Sequence, residues 1–431
     1  MDRISKIKNI DYLLLFMLIG MSVIPIFKSA SIGIYATIAC LVFLIKRFYI
    51  TKGETVILVI VLLLEIYHNV RFSGYDVIST RQVFCYFLFA LLTVNYLKLN
   101  LLTIYIKILY FLTLISFVFF ILYYIDKSSV IAFSDLVPDI FKTSIFAYGE
   151  TTKQINPIFY NFDYNLFERG RNNGAFWEPT VFAIMLIIAQ IFNLFITKKL
   201  FNKKGIVFTI GILTTFSTTC FLAYFILLLG YFLSIKTISN FKKGLLCVIV
   251  VFIGLNLYSN LSFLSTKIQD EFSNIDSEID KRGGNSRMAS AFLDISEISQ
   301  KAEYVLFGKG STKSVRIGAE DKNVLRNCGD TALLVEWGIF FFILYFILIY
   351  YSFYRLAIYY KSPKYFPIMI TVIFLICGFS EAIFDHAFFH IFIFFGLTSN
   401  NVYRSVTTSS SHDHTIEESL ITDNILSIKG V

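Results

Sequence analysis

The chain has 431 residues, of which 56% are hydrophobic, 18% are aromatic and only 16% are charged. Soluble domains carry about 25% charged residues, so this composition excludes an ordinary soluble protein and indicates a membrane protein. The formal net charge of +8 would by itself also fit a protein that binds nucleic acid, and the placement of the basic residues along the chain decides between the two.

Apolar runs of about the 20 residues that a helix needs to cross a bilayer recur along the chain. The long run at 205–236 is divided at Ser217-Thr218-Thr219 into two short helices. The first run, Asp11–Phe27, is not followed by a small-residue cleavage site, so it is interpreted as an anchor and not as a signal peptide. The sequence thus predicts twelve transmembrane helices, at 10–27, 30–46, 54–70, 81–98, 101–125, 176–197, 205–217, 219–236, 244–263, 330–355, 365–380 and 382–399.

Basic residues are concentrated in alternate connections of this predicted bundle, for example at Lys46-Arg47, Lys198-Lys199 and Lys242-Lys243. The positive-inside rule places such connections, and with them both termini, in the cytoplasm. The basic excess therefore indicates topology, and we expect no nucleic-acid partner. The polytopic membrane domain is expected to span 1–403, and a polar cytoplasmic tail to follow at 404–431.

Two long connections, 126–175 and 264–329, fall on the outer side in this topology, and long loops are commonly functional. Asn172 and Ser311 are expected to be accessible there to reagents that cannot cross the membrane. In the second connection, apolar residues at spacings of three and four predict an amphipathic helix over Ser286–Phe307. Arg287 stands at its start, and Gly308-Lys309-Gly310-Ser311 ends it.

Four arginines of these two connections are candidates for binding a phosphate group. Arginine is always charged and donates paired hydrogen bonds that match phosphate oxygens. We interpret them as binding a substrate diphosphate at the membrane surface; the alternative is a solvated charge or an ion pair with Glu168 or Asp280. These arginines are Arg169, Arg171, Arg282 and Arg287.

Glu178 stands beside Trp177 at the start of a predicted membrane helix, just before Pro179, a residue that suits the first helical turn. Partial burial would raise the pKa of Glu178 toward that of a useful general base. The alternative is an N-cap or first-turn carboxylate that is favoured by the helix dipole.

Ionisable residues within membrane segments are costly and are therefore candidates for function. At the outer end of the last predicted helix, the i, i+4 spacing pairs Glu381 with Asp385 and His386 with His390. His386 is a second candidate for the proton acceptor, and Glu381, Asp385, His390 and Asp330 are candidates for supporting roles. The alternative is a set of polar contacts between helices, which applies equally to Glu65 and His68.

We expect neither a metal nor a cofactor. The six cysteines are scattered without a C-x-x-C pair, which argues against a disulfide framework and a structural zinc site. The acidic run at 276–280 and the histidines His412 and His414 are interpreted as solvated residues rather than as ligands of a cation.

The segment Arg171-x-x-Gly174-x-Phe176-x-Glu178-Pro179-Thr180 resembles the R-x-x-G-x-F-x-E-P-[ST] pattern of bacterial O-antigen and capsule repeat-unit polymerases of the Wzy type. Two further stretches are similar to that family. They are the helix that begins at Arg287 and the run from Asp330 to Ile339. The sequence differs from the family where Thr218 and Thr219 follow Ser217, because family members often have a basic residue there.

The resemblance implies an all-α integral protein of the bacterial inner membrane, with a GT-C-like glycosyltransferase architecture and two large periplasmic loops. It implies a metal-independent, inverting glycosyltransferase that polymerises oligosaccharide repeat units linked to undecaprenyl diphosphate, with Arg171 and Arg287 as functional residues. A chain-length regulator is a possible partner. Two alternatives stay open. One is an O-antigen ligase that transfers glycan to lipid A core, and the other is a flippase or secondary transporter.

Overall fold

The computed structural model describes residues 7–28, 50–72, 77–147, 150–237, 239–246, 248, 252, 286–311 and 328–398. This part of the chain is predominantly helical. Its helices are α1 (Asn9–Val23), α2 (Pro25–Lys28), α3 (Lys52–Arg71), α4 (Val77–Leu97), α5 (Asn100–Ile125), α6 (Lys127–Leu136), α7 (Tyr164–Phe167), α8 (Pro179–Thr197), α9 (Lys203–Thr214), α10 (Thr218–Ser234), α11 (Arg287–Ile298), α12 (Ala302–Phe307), α13 (Gly329–Tyr359), α14 (Phe366–Ser380) and α15 (Ile391–Thr398).

Four of these helices, α3, α5, α8 and α13, are long and apolar enough to cross a membrane. Shorter apolar helices are formed by α1, α10, α14 and the Arg81–Leu97 part of α4. These lengths and compositions indicate that the protein is associated with a membrane. The predicted helix at 30–46 lies outside the described residues, and the one at 244–263 is described only at 244–246, 248 and 252.

Helix α8 lies at the centre of the described structure. All its residues from Pro179 to Phe195 are buried, and it packs against α5, α9 and α10. Such complete burial requires apolar residues around the whole circumference of the helix, which the sequence of α8 provides. The residues that directly precede Pro179 are therefore held at the end of the most enclosed helix.

The prediction of a last helix over 382–399 is wrong for the first half of that range. Residues Ile383–Asp385 form a 3₁₀ turn, and the α-helix begins only at Ile391. The backbone N–H of Phe388 donates to the hydroxyl of Ser22, at 2.9 Å, and so leaves the helical hydrogen-bond ladder. The i, i+4 pairings of Glu381 with Asp385 and of His386 with His390 are therefore wrong as well.

The connection at 126–175 contains a β-hairpin. The prediction of an all-α protein did not include it. Strands β1 (Lys142–Ala147) and β2 (Glu150–Ile155) pair antiparallel. A bridge from Ile155 to Phe162 extends the pairing toward α7. This hairpin packs around a small aromatic cluster with α5 and thereby orders the chain that leads into α8.

The predicted amphipathic helix over Ser286–Phe307 is two helices, α11 and α12, separated at 299–301. The apolar Phe292 and Ile295 are exposed, whereas the carboxylates of Asp294 and Glu297 are buried. The inward carboxylates have partners, because Thr331 donates to Asp294 at 2.7 Å and Lys309 to Glu297 at 2.7 Å. Polar contacts therefore decide which face of α11 turns inward.

Helix α13 is broken at Gly338, where φ is 75° and ψ is 172°. The break frees backbone carbonyls that a continuous helix would use, and these must be satisfied within an apolar environment. The N–H groups of Lys309 and Gly310 donate to the carbonyls of Val335 and Glu336, at 2.8 and 2.9 Å. The segment after α12 is thus attached to α13 by backbone hydrogen bonds.

Candidate functional site

Three helix N-termini and one helix C-terminus meet near the start of α8. The hydroxyl of Ser217, which precedes α10, donates to the hydroxyl of Thr180 in the first turn of α8, at 3.3 Å. The Nε of Arg287, the first residue of α11, donates to the carbonyl of Ser380 at the end of α14, at 2.7 Å. Helix N-termini carry partial positive charge and are common binding sites for anions.

Arg171, Glu178, Arg287 and Glu381 lie at this junction, and we call them the junction cluster. Cys220, in the first turn of α10, interacts electrostatically with Arg171, Arg287 and Glu381, which places the three charges around one point of the structure. Arg171 and Arg287, which belong to connections far apart in the chain, therefore lie in the same part of the structure.

Local backbone geometry positions Arg171. Gly170 has a φ of 58°, a left-handed conformation that glycine adopts without steric cost. The N–H of Arg171 then donates to the carbonyl of Asn165, at 2.9 Å. Its Nε donates to the carbonyl of Thr215 between α9 and α10, at 2.9 Å. One edge of the guanidinium is thus fixed by the protein itself.

Asn172 holds the same segment in place and is fully buried. Its amide nitrogen donates to the hydroxyls of Ser116 and Thr214, both at 3.1 Å, and its carbonyl accepts from the N–H of Gly174, at 3.0 Å. The expectation that Asn172 is accessible from outside is therefore wrong. One asparagine beside another forms no periodic pattern, so the sequence could not predict the burial of Asn172.

Arg287 and Glu381 form an ion pair, with Nη2 3.3 Å from Oε1. Each side chain is only 14% exposed, so water screens the pair weakly. Ser286 caps α11 through a bond from the N–H of Ala289, at 3.2 Å, which fixes the helix start that carries Arg287.

Glu178 occupies the N-cap position of α8, but its carboxylate makes no capping hydrogen bond. It is hydrogen-bonded instead to the carboxyl group of Glu381. Burial raises the pKa of Glu381 well above its ordinary value, and Glu178 raises it further, while Arg287 opposes the shift. Two carboxyl groups in contact cannot both ionise easily, so this pair holds a proton.

His386 lies against Trp177, the residue directly before Glu178; the two rings meet edge-on, with 5.0 Å between centroids. The carbonyl of Trp177 accepts from the side chain of Gln154 in β2, at 3.2 Å. The hairpin therefore supports the backbone directly before Glu178.

Two further carboxyl groups border the junction. Asp163 is buried and caps α7, accepting from the N–H of Leu166 at 3.3 Å. Burial raises its pKa to about 7, and Glu178 contributes to the shift. Asp330, at the start of α13, approaches α14 closely, since a Cβ built at Gly378 would lie 2.2 Å from its Oδ1.

Other candidates lie outside the cluster. The guanidinium of Arg169 stacks 5.0 Å from the ring of Tyr164 on the surface. Asp385 is exposed, and His390 is buried in the aromatic core, 3.9 Å from the ring of Phe87. Arg282, the acidic run at 276–280, His412 and His414 lie outside the described residues.

The Glu65–His68 couple is buried in α3. The Nε2 of His68 is 2.8 Å from the carbonyl oxygen of Phe307, so this nitrogen donates to the end of α12. Tyr67 and Arg71 of the same helix both donate to Glu303 in α12, at 2.5 and 2.6 Å. These contacts favour the alternative of polar contacts between helices, with α3 as a support for α12.

The glycine-rich surroundings of Lys309 do not match a phosphate-binding loop. The structure places Lys309 in a buried ion pair with Glu297. No family model matches this chain, and a search of curated proteins finds no match.

Proposed function

We propose that the protein polymerises oligosaccharide repeat units linked to undecaprenyl diphosphate into O-antigen or capsular polysaccharide. It would do so as a multi-pass protein of the bacterial inner membrane, with about twelve helices, both termini in the cytoplasm and the junction cluster on the periplasmic side. The observation that carries the proposal is the meeting of Arg171 and Arg287 at one junction of helix N-termini.

The junction suits a diphosphate for two reasons. Two guanidinium groups offer paired hydrogen-bond donors to phosphate oxygens. The N-termini of α8, α10 and α11 add backbone N–H groups and partial positive charge. A diphosphate attached to a membrane lipid would reach this junction at the level of its headgroup, close to the ends of the spanning helices.

The chemistry that we assign to the site is glycosyl transfer with inversion. A hydroxyl of the incoming repeat unit attacks the anomeric carbon of the growing glycan, and the bond from that carbon to the lipid diphosphate breaks. The leaving diphosphate gains negative charge, which Arg171 and Arg287 stabilise; one such donor typically contributes about 3–4 kcal/mol to the transition state. Glu178 accepts the proton of the attacking hydroxyl, and His386 beside Trp177 is the second candidate for that step.

An O-antigen ligase would use the same cluster, and the product separates the two enzymes. The purified protein in lipid nanodiscs is given lipid-linked repeat units, either alone or with lipid A core. A ladder of extended glycans without lipid A core supports the polymerase, and product formed only on lipid A core supports the ligase. Absence of both products contradicts the proposal.

Single variants test whether the cluster carries the activity. Arg171→Ala and Arg287→Ala are expected to lower extension at least about 100-fold. Arg169→Ala is the matched control, because Arg169 belongs to the same segment but stacks on Tyr164 at the surface. Equal losses in Arg169→Ala and Arg171→Ala would contradict the assignment.

A further inference from the structure

The two carboxyl groups of Glu178 and Glu381 come from opposite helix ends. Glu178 precedes α8 at its N-terminus, and Glu381 follows α14 at its C-terminus. Their side chains are nevertheless hydrogen-bonded to each other. A hydrogen bond between two carboxyl groups needs a proton on one of them, because two carboxylates offer only acceptors.

Arg287 contacts this pair through Glu381. Its Nη2 lies 3.3 Å from Glu381, while its Nε is held by the carbonyl of Ser380. With one shared proton, the two carboxyl groups and the guanidinium carry no net charge. Neutrality is favoured in a site where Arg287 and Glu381 are largely shielded from water.

Charged and titratable groups from several neighbouring elements surround the pair. Arg171 approaches from the segment before α8 and Arg287 from α11, and both act on Cys220 of α10 together with Glu381. Asp163 of α7 acts on Glu178. Asp330 lies at the start of α13, and His386 lies against Trp177. Arg287 forms an ion pair with Glu381 of the pair.

We propose that Glu178 and Glu381 act as one carboxyl pair that shares a proton and accepts the proton of the sugar hydroxyl, and that Arg287 couples this step to the diphosphate. The inference rests on the proposed function. When a diphosphate draws the guanidinium of Arg287 toward itself, Glu381 loses its cationic neighbour. The pair then holds protons more strongly, so it becomes a better base only when the donor substrate is bound.

The step balances in atoms and charge. The acceptor oxygen forms a bond to the anomeric carbon, whose bond to the diphosphate oxygen breaks, and the electron pair of that bond leaves with the diphosphate. The hydroxyl proton moves to the ionised carboxylate of the pair. The pair then holds two protons, one on each carboxyl group, and later loses one to water. His386 touches Trp177, whereas the carboxyl pair touches Arg287 directly; the pair is therefore better placed to link proton acceptance with phosphate departure.

Infrared spectroscopy of the full-length protein in nanodiscs tests the shared proton without any glycan. We expect the carbonyl absorption of protonated carboxyl groups at neutral pH to lose one band in both Glu178→Gln and Glu381→Gln, while the contribution of the buried Asp163 remains. Inorganic pyrophosphate, used as the probe, is expected to shift this band in the wild-type protein but not in Arg287→Ala. Glu168→Gln is the control, because Glu168 is an exposed glutamate of the same segment. A glutamine variant whose carbonyl absorption equals that of the wild-type protein overturns the inference.

Extension assays over a range of pH complete the test. Each glutamine variant is expected to lose about 10²–10⁴-fold in rate, and the double variant to lose little more, because residues that act as a unit are not additive. Glu381→Asp is expected to restore part of the rate with a shifted pH profile, which a merely structural role would not produce. If the wild-type protein extends glycans and Glu381→Gln retains full activity, the inference about the carboxyl pair is wrong, but the proposed polymerase function is not contradicted. If the wild-type protein extends nothing, both the proposed function and the inference about the carboxyl pair are wrong.

Discussion

Lys309 donates to the carboxylate of Glu297 across a distance of 2.7 Å, and the side chains are only 8% and 0% exposed. The ammonium also lies 5.4 Å from the ring centroid of Tyr304. Because the backbone of Lys309 is bonded to the carbonyl of Val335 at the break in α13, this ion pair links α11 to α13. It thereby helps to fix the helix whose first residue is Arg287.

Lys309→Met is expected to destabilise the protein by about 3–5 kcal/mol, because it leaves the buried charge of Glu297 without its partner. Thermal unfolding in detergent measures the effect. The double variant Lys309→Met/Glu297→Leu should recover much of the loss, since it removes both charges. A double variant less stable than Lys309→Met would contradict this account of the pair.

Gly338→Ala is expected to lower stability by at least about 2 kcal/mol and to loosen the attachment of α12. A Cβ at this position would lie 2.3 Å from the carbonyl oxygen of Leu306, and φ is 75°, which alanine adopts only with strain. Gly244→Ala is the control, because a Cβ there meets nothing within 4 Å. Similar melting temperatures for the two variants would argue against a break in α13 that depends on glycine.

Asp163 gives the protein a pH-dependent stability whose sign is fixed by its raised pKa. Burial raises the pKa of Asp163 from the ordinary 3.8 to about 7. Between these two pH values the folded state keeps a proton that the unfolded chain has lost. Stability therefore falls as pH rises from about 4 to about 7 and is constant above that range. Relative to Asp163→Asn, which keeps a capping oxygen, the wild-type protein should lose roughly 2–3 kcal/mol between about pH 5 and pH 8. Unfolding free energies that run parallel for the two proteins would contradict the shift.

Arg171→Lys is expected to lose nearly as much activity as Arg171→Ala. The Nε of Arg171 donates to the carbonyl of Thr215, and in the proposed site the same planar guanidinium also contacts a phosphate. A lysine has one nitrogen and cannot satisfy both partners in the same geometry. The extension assay described above measures the effect, and full activity of Arg171→Lys would exclude a requirement for the planar guanidinium.

Cysteine labelling tests the topology with sites chosen by their exposure. Glu168→Cys should react with an impermeant reagent added from the periplasmic side, because Glu168 is exposed. Lys203→Cys, at the exposed start of α9, should react only after the membrane is opened. Asn172→Cys should stay unlabelled until denaturation, because Asn172 is buried. Labelling of Lys203→Cys and not Glu168→Cys in intact cells would reverse the orientation that we propose.

Local sequence alone sufficed for the helices whose apolar runs are long and uninterrupted. The bounds of α3, α5 and α14 differ from the predicted 54–70, 101–125 and 365–380 by at most two residues. Hydrophobicity acts along the chain residue by residue, so a run of spanning length predicts a helix without knowledge of its neighbours. The same local chemistry identified Arg171, Glu178 and Arg287 as candidates, because a guanidinium matches phosphate oxygens and a carboxylate can accept a proton.

Only the tertiary structure decided which of these residues meet. The pairing of Glu178 with Glu381, the burial of Asn172 and the inward carboxylates of α11 depend on partners far away in the chain, such as Thr214 and Lys309. A hydrogen bond or an ion pair is determined by distance in space, and the helical period of one segment contains no information about the segment that packs against it. The replacement of the predicted helix at 382–390 by turns has the same cause, since the N–H of Phe388 finds its partner in Ser22 of α1.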